Sequence, residues 1–173
     1  MRVPEITLAP DFVRNAGALF DHLVVSIDWD ERMRARKTAS FGVSYDYSQI
    51  SYPQAPMPGV LAALAHDISA RLGFQPNNCL LNYYADGEAS MGFHSDSSEE
   101  LAPDTGVSII SLGATRPIIF RLKGDRSVEH AIELTAGSLL HMPNAIQTAW
   151  LHAIPRSPGA GPRISATFRK IIK

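Results

Sequence analysis

Apolar residues recur at helical spacing in two stretches of the first half of the chain. Residues 11–23 carry apolar side chains three or four positions apart, with Pro10 just ahead and Asp11 at the expected start. Residues 58–72 carry a similar stripe, and Gly73 follows as a typical C-terminal stop. The two stripes consist of Phe12, Ala16, Leu19, Phe20 and Leu23, and of Val60, Leu61, Leu64, Ala65, Ile68 and Leu72. This pattern predicts two amphipathic helices, one over residues 11–23 and one over 58–72.

The pattern between these helices is irregular. Residues 29–38 are rich in charge, which is typical either of a solvated connection or of the rim of a binding site. Residues 39–58 mix aromatic residues with serine, glutamine and proline, without a helical period. We expect this second stretch to form an aromatic loop rather than a core element.

Short apolar stretches separated by turn residues fill the second half of the chain. Eight of them have the length and composition of strands: 79–84, 90–94, 107–112, 117–122, 129–134, 138–141, 147–154 and 163–172. Turn residues such as Asp86-Gly87 and Ala136-Gly137 stand between them. The chain thus begins with two helices and continues with about eight strands. This order predicts an α+β protein, with an antiparallel jelly-roll core and the N-terminal helices packed on it.

Length and composition restrict the class of protein. A chain of 173 residues is long enough for one domain with a real core and too short to expect two. The net charge of -1 excludes a global positive field, so any nucleic-acid binding must depend on a local patch. The single cysteine, Cys79, cannot form an internal disulfide, and neither a signal peptide nor a membrane-spanning apolar run is evident. We expect a cytoplasmic protein without a membrane partner.

A candidate metal site lies in the middle of the chain, at residues 92–96. If this stretch is extended, His94 and Asp96 point to the same face, because side chains two positions apart in a strand share a face. His152, in an apolar stretch, is the best candidate for a third ligand from a distant strand. Two histidines and one carboxylate favour a ferrous ion with open positions for a co-substrate and dioxygen. The alternatives are a surface turn for His94 and Asp96, and a packing role for His152.

The last predicted strand alternates strictly between polar and apolar residues. Its polar face carries Arg163, Ser165, Thr167 and Arg169. Two guanidinium groups that point inward are costly unless they meet anions, and a carboxylate is the natural bidentate partner of an arginine. A dicarboxylate such as 2-oxoglutarate would bind an arginine at one end and chelate the metal at the other. The alternative is that both arginines are exposed or paired with acidic side chains.

An ordered set of motifs runs from about Arg36 to the C-terminus. The motifs are NYYADG at 82–87, HSD at 94–96, EELAP at 99–103, SLGA at 111–114, FR at 120–121, GSLL at 137–140, WLH at 150–152 and the run from Pro162 through Ile171. Together they resemble the AlkB family of Fe(II)- and 2-oxoglutarate-dependent dioxygenases. The resemblance implies a single AlkB-like domain over 1–173, with helices and a substrate-recognition lid over about 1–77 and a double-stranded β-helix over about 78–173.

The same resemblance implies roles for individual residues. His94, Asp96 and His152 would bind the iron and be catalytic. The cofactor 2-oxoglutarate would be held by a second set, in which Arg169 lies beside its metal-chelating end and the others bind its distal carboxylate. That second set consists of Asn82, Tyr84, Arg163 and Arg169.

Three further positions are implied to meet the substrate. Tyr47 matches the position where the family stacks an aromatic ring on a flipped base, with packing in the lid as the alternative. Arg36 lies in a segment that resembles one near the nucleic-acid backbone. Ser98 stands where the DNA-repair members carry a carboxylate, and a hydroxyl cannot neutralise a cationic methylated base. Ser165 likewise replaces an asparagine that is common near the cofactor.

The implied activity is oxidative demethylation of an alkylated base in single-stranded or flipped-out DNA or RNA. Fe(II), 2-oxoglutarate and O₂ would hydroxylate the N-methyl group, releasing formaldehyde together with succinate and CO₂. We expect a monomer. One alternative, favoured by the serines at 97 and 98, is a hydroxylase of a small molecule or protein side chain that uses the same cofactors. Another is a non-enzymatic jelly-roll binding module.

Overall fold

The computed structural model describes residues 2–172, and in that part of the chain it contains three helices and twelve strands. The helices are α1 (Ala16–Ser26), α2 (Gly59–Leu72) and α3 (Asn144–Ala149). The strands are β1 (Thr7–Ala9), β2 (Lys37–Gly42), β3 (Tyr45–Tyr47), β4 (Ile50–Tyr52), β5 (Asn78–Tyr84), β6 (Met91–His94), β7 (Gly106–Gly113), β8 (Arg116–Leu122), β9 (Asp125–Leu134), β10 (Leu139–Pro143), β11 (Trp150–Ile154) and β12 (Arg163–Arg169).

Two antiparallel sheets form the body of the molecule. The larger sheet has the strand order β1-β10-β7-β12-β5-β2, and the smaller has the order β6-β11-β8-β9. Neighbouring strands come from distant parts of the chain, as when β12 pairs with β5 on one side and β7 on the other. This is a jelly roll, and the prediction of an α+β protein with helices packed on such a core is confirmed.

Strand β12 has two different faces, as its alternating sequence predicts. Ile164, Ala166 and Phe168 belong to the core cluster between the larger sheet and helices α1 and α2. The opposite face is polar and lines a cavity between the two sheets. Its residues are Arg163, Ser165, Thr167 and Arg169. The prediction that these arginines point inward is therefore correct, and the alternative of an exposed pair is wrong.

The two predicted helices exist, and the first begins later than expected. Helix α2 ends at Gly73, which adopts the left-handed conformation with a φ of 84°. Helix α1 begins at Ala16 rather than near residue 11, because the Val13 N–H donates to the carbonyl of Gly137 and ties this segment to a turn of the sheet. No helix within residues 2–172 is long and apolar enough to cross a membrane.

The prediction of an irregular loop over residues 39–58 is wrong. Its first part belongs to β2, which pairs with β5 at an edge of the larger sheet, and its second part forms the hairpin β3–β4. Ser48 and Gln49 make the turn of this hairpin with positive φ angles of 48° and 67°. The sequence pattern carries no clear signal here, because neither turn residue is the glycine or asparagine that usually marks such a turn.

Two further elements differ from the predictions. Residues 147–149 belong to helix α3 rather than to a strand, since the chain turns once before it enters β11. Strand β1 is not among the predicted strands, and it pairs with β10 at the other edge of the larger sheet. The N-terminal part thus supplies both edge strands of that sheet. The single-domain organisation, with its division near residue 77, stays a prediction.

Candidate active site

The three candidate metal ligands come together at one end of the smaller sheet. Strand β6 ends at His94, which lies directly opposite His152 of β11, so that their ring centroids are 4.3 Å apart. Asp96 follows β6 by two residues, and its Oδ1 lies 3.7 Å from His94 Nε2. One ligand atom from each residue lies within 4.8 Å of the others. This cross-strand pairing explains how residues far apart in sequence meet.

Hydrogen bonds orient two of these side chains. His94 Nδ1 lies 2.9 Å from the carbonyl of Gly92, a geometry in which Nδ1–H donates and Nε2 keeps its lone pair. Asp96 Oδ2 accepts a hydrogen bond of 2.8 Å from Arg169 Nη2, which leaves Oδ1 for the cluster. The Asp96 N–H donates to Gln147 Oε1 at 2.8 Å, so helix α3 positions the backbone of the cluster.

Asp96 and His152 are in the protonation states that metal binding requires. Burial opposes ionisation of Asp96, but the charge of Arg169 beside it outweighs this and lowers the pKa of the carboxyl. Burial also lowers the pKa of His152 to about 4, helped by His94. At neutral pH the carboxyl is therefore ionised and the imidazole of His152 is neutral. A divalent ion binds groups in these forms. The donor set suits a ferrous ion.

A cavity lined by both polar and apolar side chains lies beside the cluster, between the two sheets. Arg163 is 1% exposed, and its Nη2 donates to Ser111 Oγ at 2.8 Å. Within residues 2–172, Nε and Nη1 of both Arg163 and Arg169 have no hydrogen-bond partner. A buried donor without a partner lowers the stability of the fold. In addition, Arg163 makes no ion pair with a carboxylate of residues 2–172. The cavity therefore fits a small dianion.

The two other predicted cofactor residues line the same cavity. In the antiparallel register Tyr84 lies opposite Arg163, and the guanidinium carbon of Arg163 is 5.0 Å from the Tyr84 ring centroid. Asn82 lies opposite Ser165, so the smaller serine leaves space at this point. The Asn82 Oδ1 accepts a hydrogen bond of 3.0 Å from Arg36 Nε.

A wider cleft of about 470 Å³ opens outward from the cluster. Tyr47 lines both this cleft and the inner cavity, so it stands at the boundary between them. Ser97 lines the cleft, whereas Ser98 is exposed in a turn and is not among the lining residues. The structure therefore does not bring Ser98 to the other predicted substrate residues.

The predicted contact of Arg36 with a nucleic-acid backbone is not what its geometry favours. Its side chain is buried and turned inward, where it donates to Asn82 Oδ1, to the Ser90 carbonyl and, at 3.0 Å, to the Tyr47 hydroxyl. Arg36 lines the cleft, but its guanidinium is used within the protein. It connects the hairpin to the cofactor cavity.

Sequence reasoning missed several residues that support the site. The apolar pattern places Gln147 in a strand, and Ser111 carries no signal because its role depends on the register of β7 against β12. The irregular pattern likewise places Tyr45 in a loop. Its ring stacks on Tyr47 at 6.4 Å and lies 4.9 Å from the guanidinium carbon of Arg169. The alternation in YDY of β3 places these two rings on one face, which is a usable signal.

A jelly roll with two imidazoles and a carboxylate at one point, next to a cationic cavity, is typical of non-haem iron oxygenases. The comparison with protein families agrees with this class. The chain belongs to the 2OG-Fe(II) oxygenase superfamily, whose model matches residues 23–169. The description of this family names 2-oxoglutarate and Fe(II), which disfavours the alternative of a non-enzymatic binding module.

Similar proteins narrow the resemblance to the AlkB group. The chain is 34% identical over 148 residues to a Homo sapiens protein named DNA oxidative demethylase ALKBH2, covering 79% of this chain and 57% of the relative. It is 32% identical to a Mus musculus protein named alpha-ketoglutarate-dependent dioxygenase alkB homolog 3, covering 98% of this chain and 67% of the relative. The chain thus spans between about half and two thirds of the length of these relatives. The AlkB resemblance is confirmed.

A solved structure of a protein named OsALKBH1 shares the fold. It superposes with a TM-score of 0.73 and covers 98% of this chain and 100% of that chain, at 16% sequence identity. At this identity the likeness concerns the fold alone. It agrees with the jelly-roll architecture described above.

Proposed function

We propose that the protein demethylates alkylated bases in DNA or RNA by oxidation of their N-methyl groups. The observation that carries this proposal is the convergence of His94, Asp96 and His152 beside a cavity with unpaired buried guanidinium donors. The name of the human relative, DNA oxidative demethylase, supports this choice of reaction. An open cleft with an aromatic ring at its inner end fits a base that is single-stranded or flipped out.

The proposal assigns one role to each group of residues. His94, Asp96 and His152 hold Fe(II). Arg163, with Asn82 and Tyr84, binds the distal carboxylate of 2-oxoglutarate, and Arg169 lies beside the end that reaches the metal. The unpaired Nε and Nη1 donors of Arg163 support this assignment, because a carboxylate in the cavity would give a buried donor the acceptor that it lacks.

When bound, iron and 2-oxoglutarate supply the oxidising power for hydroxylation of a C–H bond, with succinate and CO₂ as by-products. The hydroxylated methyl group leaves the base as formaldehyde. The chain's own contribution is placement. Arg169 keeps Asp96 ionised and oriented, burial keeps His152 neutral, and the apolar walls of the cavity exclude water. Tyr47 offers its ring as a surface for the base.

Two observations favour a second candidate within the same enzyme class. Ser98 replaces the carboxylate of the DNA-repair members and lies outside the cleft, and the net charge of the chain is -1. A hydroxylase of a small molecule or of a protein side chain would need neither a carboxylate for a cationic base nor a positive surface for phosphates. The cytoplasmic location and the monomeric state stay predictions.

The test is formaldehyde release from methylated oligonucleotides, measured together with succinate. We expect equal amounts of both products from the wild-type protein with Fe(II), 2-oxoglutarate and O₂. Succinate without formaldehyde from any methylated DNA or RNA would favour the second candidate.

The variant Asp96→Asn tests the metal site in the same assay. We expect it to abolish turnover and to weaken Mn(II) binding at least about tenfold, since an amide oxygen is a poorer ligand than a carboxylate. The matched control is Asp67→Asn on the exposed side of α2, which carries the same charge change far from the site. Undiminished activity in Asp96→Asn would refute the proposed ligand set.

A further inference from the structure

Arg116 is a buried cation at the start of β8. Burial alternates along this strand, and Arg116 occupies the inward face that otherwise carries Ile118, Phe120 and Leu122. The residue is 0% exposed, and among residues 2–172 it makes no ion pair with a carboxylate. A buried charge on an apolar face is costly unless its donors are used. The contacts of its guanidinium therefore indicate its role.

The guanidinium of Arg116 donates to carbonyls of two loops. Nη2 donates to the carbonyls of Ala89 at 2.7 Å and Pro155 at 2.6 Å, and Nη1 donates to the carbonyl of Asp86 at 3.4 Å. The first loop joins β5 to β6, and the second joins β11 to β12. These four strands, with Asp96 just beyond β6, carry every residue proposed to hold the metal or the cofactor. One buried side chain thus ties the ends of all four strands together.

The two loops also contact each other directly. The Ser157 N–H donates to the Gly87 carbonyl at 2.8 Å, and a Cβ on Gly87 would lie 1.8 Å from the Ser157 carbonyl oxygen. Only glycine fits at position 87, because no Cβ atom approaches an oxygen so closely. The loops are therefore packed backbone against backbone, and Arg116 donates to both sides of this junction.

Arg116 also packs on the ring of Tyr84, which is proposed to bind the distal carboxylate of the cofactor. The guanidinium carbon of Arg116 lies 5.4 Å from the Tyr84 ring centroid, and that of Arg163 lies 5.0 Å from the same centroid. Both distances are within the range of a cation–π contact. Tyr84 and Arg163 line the cofactor cavity, whereas Arg116 is not among its lining residues. Arg116 therefore supports the ring from outside the cavity and does not touch a cofactor in it.

We infer that Arg116 is a positioning residue for the distal carboxylate of 2-oxoglutarate. This inference rests on the cofactor assignment in the proposed function. Arg116 holds the Tyr84 ring in place beside Arg163, so the phenol and the guanidinium meet the carboxylate without reorganisation. Its hydrogen bond to Ala89 lies before β6, whose other end carries His94. Arg116 thus acts on the distal end of the cofactor and not on the end that chelates the metal.

The test compares 2-oxoglutarate with 2-oxopentanoate, which has the same chelating end and a methyl group in place of the distal carboxylate. Isothermal titration calorimetry on the Mn(II)-loaded protein gives the Kd of each ligand without turnover. For Arg116→Met we expect about a tenfold higher Kd for 2-oxoglutarate and less than about a twofold change for 2-oxopentanoate. Arg116→Lys keeps a cation beside the ring but loses the planar fork, so we expect about a threefold loss with 2-oxoglutarate alone.

The matched control is Arg121→Met, which removes a cation from the outward face of the same strand, where Arg121 pairs with Glu129. It should leave both Kd values unchanged. Urea unfolding shows which variants fold, and Arg116→Lys decides the question if Arg116→Met does not. Failure of both variants to fold would overturn the inference, because Arg116 would then only support the fold.

Two results with folded Arg116 variants would also overturn the inference. One is an equal loss of affinity for both ligands, and the other is an unchanged Kd for 2-oxoglutarate. Neither result bears on demethylation, which the formaldehyde assay tests separately. Absence of 2-oxoglutarate binding by the wild-type protein would refute the cofactor assignment and this inference with it.

Discussion

Arg169 shows how one residue joins the two halves of the site. Its Nη2 donates to Asp96, and its Nε and Nη1 remain without a partner within the described chain. Burial disfavours its charge, but the contact with Asp96 outweighs this and raises its pKa. Among residues 2–172, Arg163 has no such acidic neighbour, and burial lowers its pKa. The cavity therefore holds one compensated and one uncompensated guanidinium, and one carboxylate of a dianionic cofactor would balance the latter.

At this scale we predict that Arg163→Lys raises the KM for 2-oxoglutarate by at least about tenfold, because an ammonium cannot reproduce the planar fork that binds a carboxylate. Arg163→Ala should raise it further. The measurement is succinate formation against 2-oxoglutarate concentration, with Arg156→Lys on an exposed loop as the control. An unchanged requirement for 2-oxoglutarate in both Arg163 variants would remove this residue from the cofactor site.

The hairpin β3–β4 is an element whose position links substrate and cofactor. Tyr45 and Tyr52 pack with Leu80 and Ile171 in a small core cluster of their own. On the other side, the Tyr47 hydroxyl accepts from Arg36, which also donates to Asn82 of the cofactor cavity. The hairpin is thus anchored at both ends. A base stacked on Tyr47 would meet a surface that is already in place, which lowers the entropy cost of binding.

We predict that the ring of Tyr47, and not its hydroxyl, accounts for most of its contribution to substrate binding. Tyr47→Ala should weaken binding of a methylated oligonucleotide about tenfold, since base–aromatic stacking contributes roughly 1–3 kcal/mol. Tyr47→Phe should stay within about twofold, because it loses only the hydrogen bond from Arg36. Fluorescence anisotropy measures both variants. Equal losses in the two would show that the hydroxyl, through Arg36, is the important group.

Helix α2 offers a test of how its end is determined. Gly73 has a φ of 84° and an added Cβ would meet no atom within 4 Å, so Gly73→Ala introduces backbone strain without a clash. We expect it to lower stability by about 1 kcal/mol and Tm by about 3 °C. The control is Gly59→Ala at the helix start, where φ is not positive and the space is also open. That variant should be neutral or slightly stabilising. Calorimetry measures both variants, and a Tm of Gly73→Ala above that of Gly59→Ala would contradict the capping role.

At the scale of the whole molecule, the site exists only when the two sheets face each other. Asn82 and Arg163 belong to the larger sheet, whereas His94 and His152 belong to the smaller one. Metal binding and folding are therefore coupled, because the unfolded chain does not bring these groups together. The packing that stabilises the sandwich also sets the distances of the site.

Stability of the metal-free protein should fall as the solution becomes acidic. His141 is buried with Ser108 Oγ at 2.8 Å from its Nδ1, and burial lowers its pKa from the ordinary value of 6.5. The unfolded chain then takes up a proton near that pH while the folded chain does not, so the free energy of unfolding decreases below about pH 6.5. Urea unfolding at a series of pH values measures this, and we expect a shallower decrease in His141→Gln. Parallel curves for the two proteins would contradict the contribution of His141.

Sequence patterns located most elements and the inner residues of the site. Alternation predicted the polar face of β12. His94 and Asp96 do lie together as expected, although β6 ends at His94 and Asp96 lies beyond the strand. Patterns failed where hydrogen bonding across the sheet determines the structure, as for β2, whose partner β5 lies far along the chain. They also failed for Ser98, because a turn directs that residue away from the cleft.

The sequence by itself determined the kinds of group available to the protein: imidazoles, a carboxylate, guanidiniums and aromatic rings at spacings that suit strands. Only the tertiary structure decided which of them meet. The register of β11 on β6 places His152 opposite His94, and the pairing of β12 with β5 places Arg163 opposite Tyr84. The physical reason is that periodicity along a chain sets the direction of a side chain, whereas distances between strands depend on pairing and packing of segments that are remote in sequence.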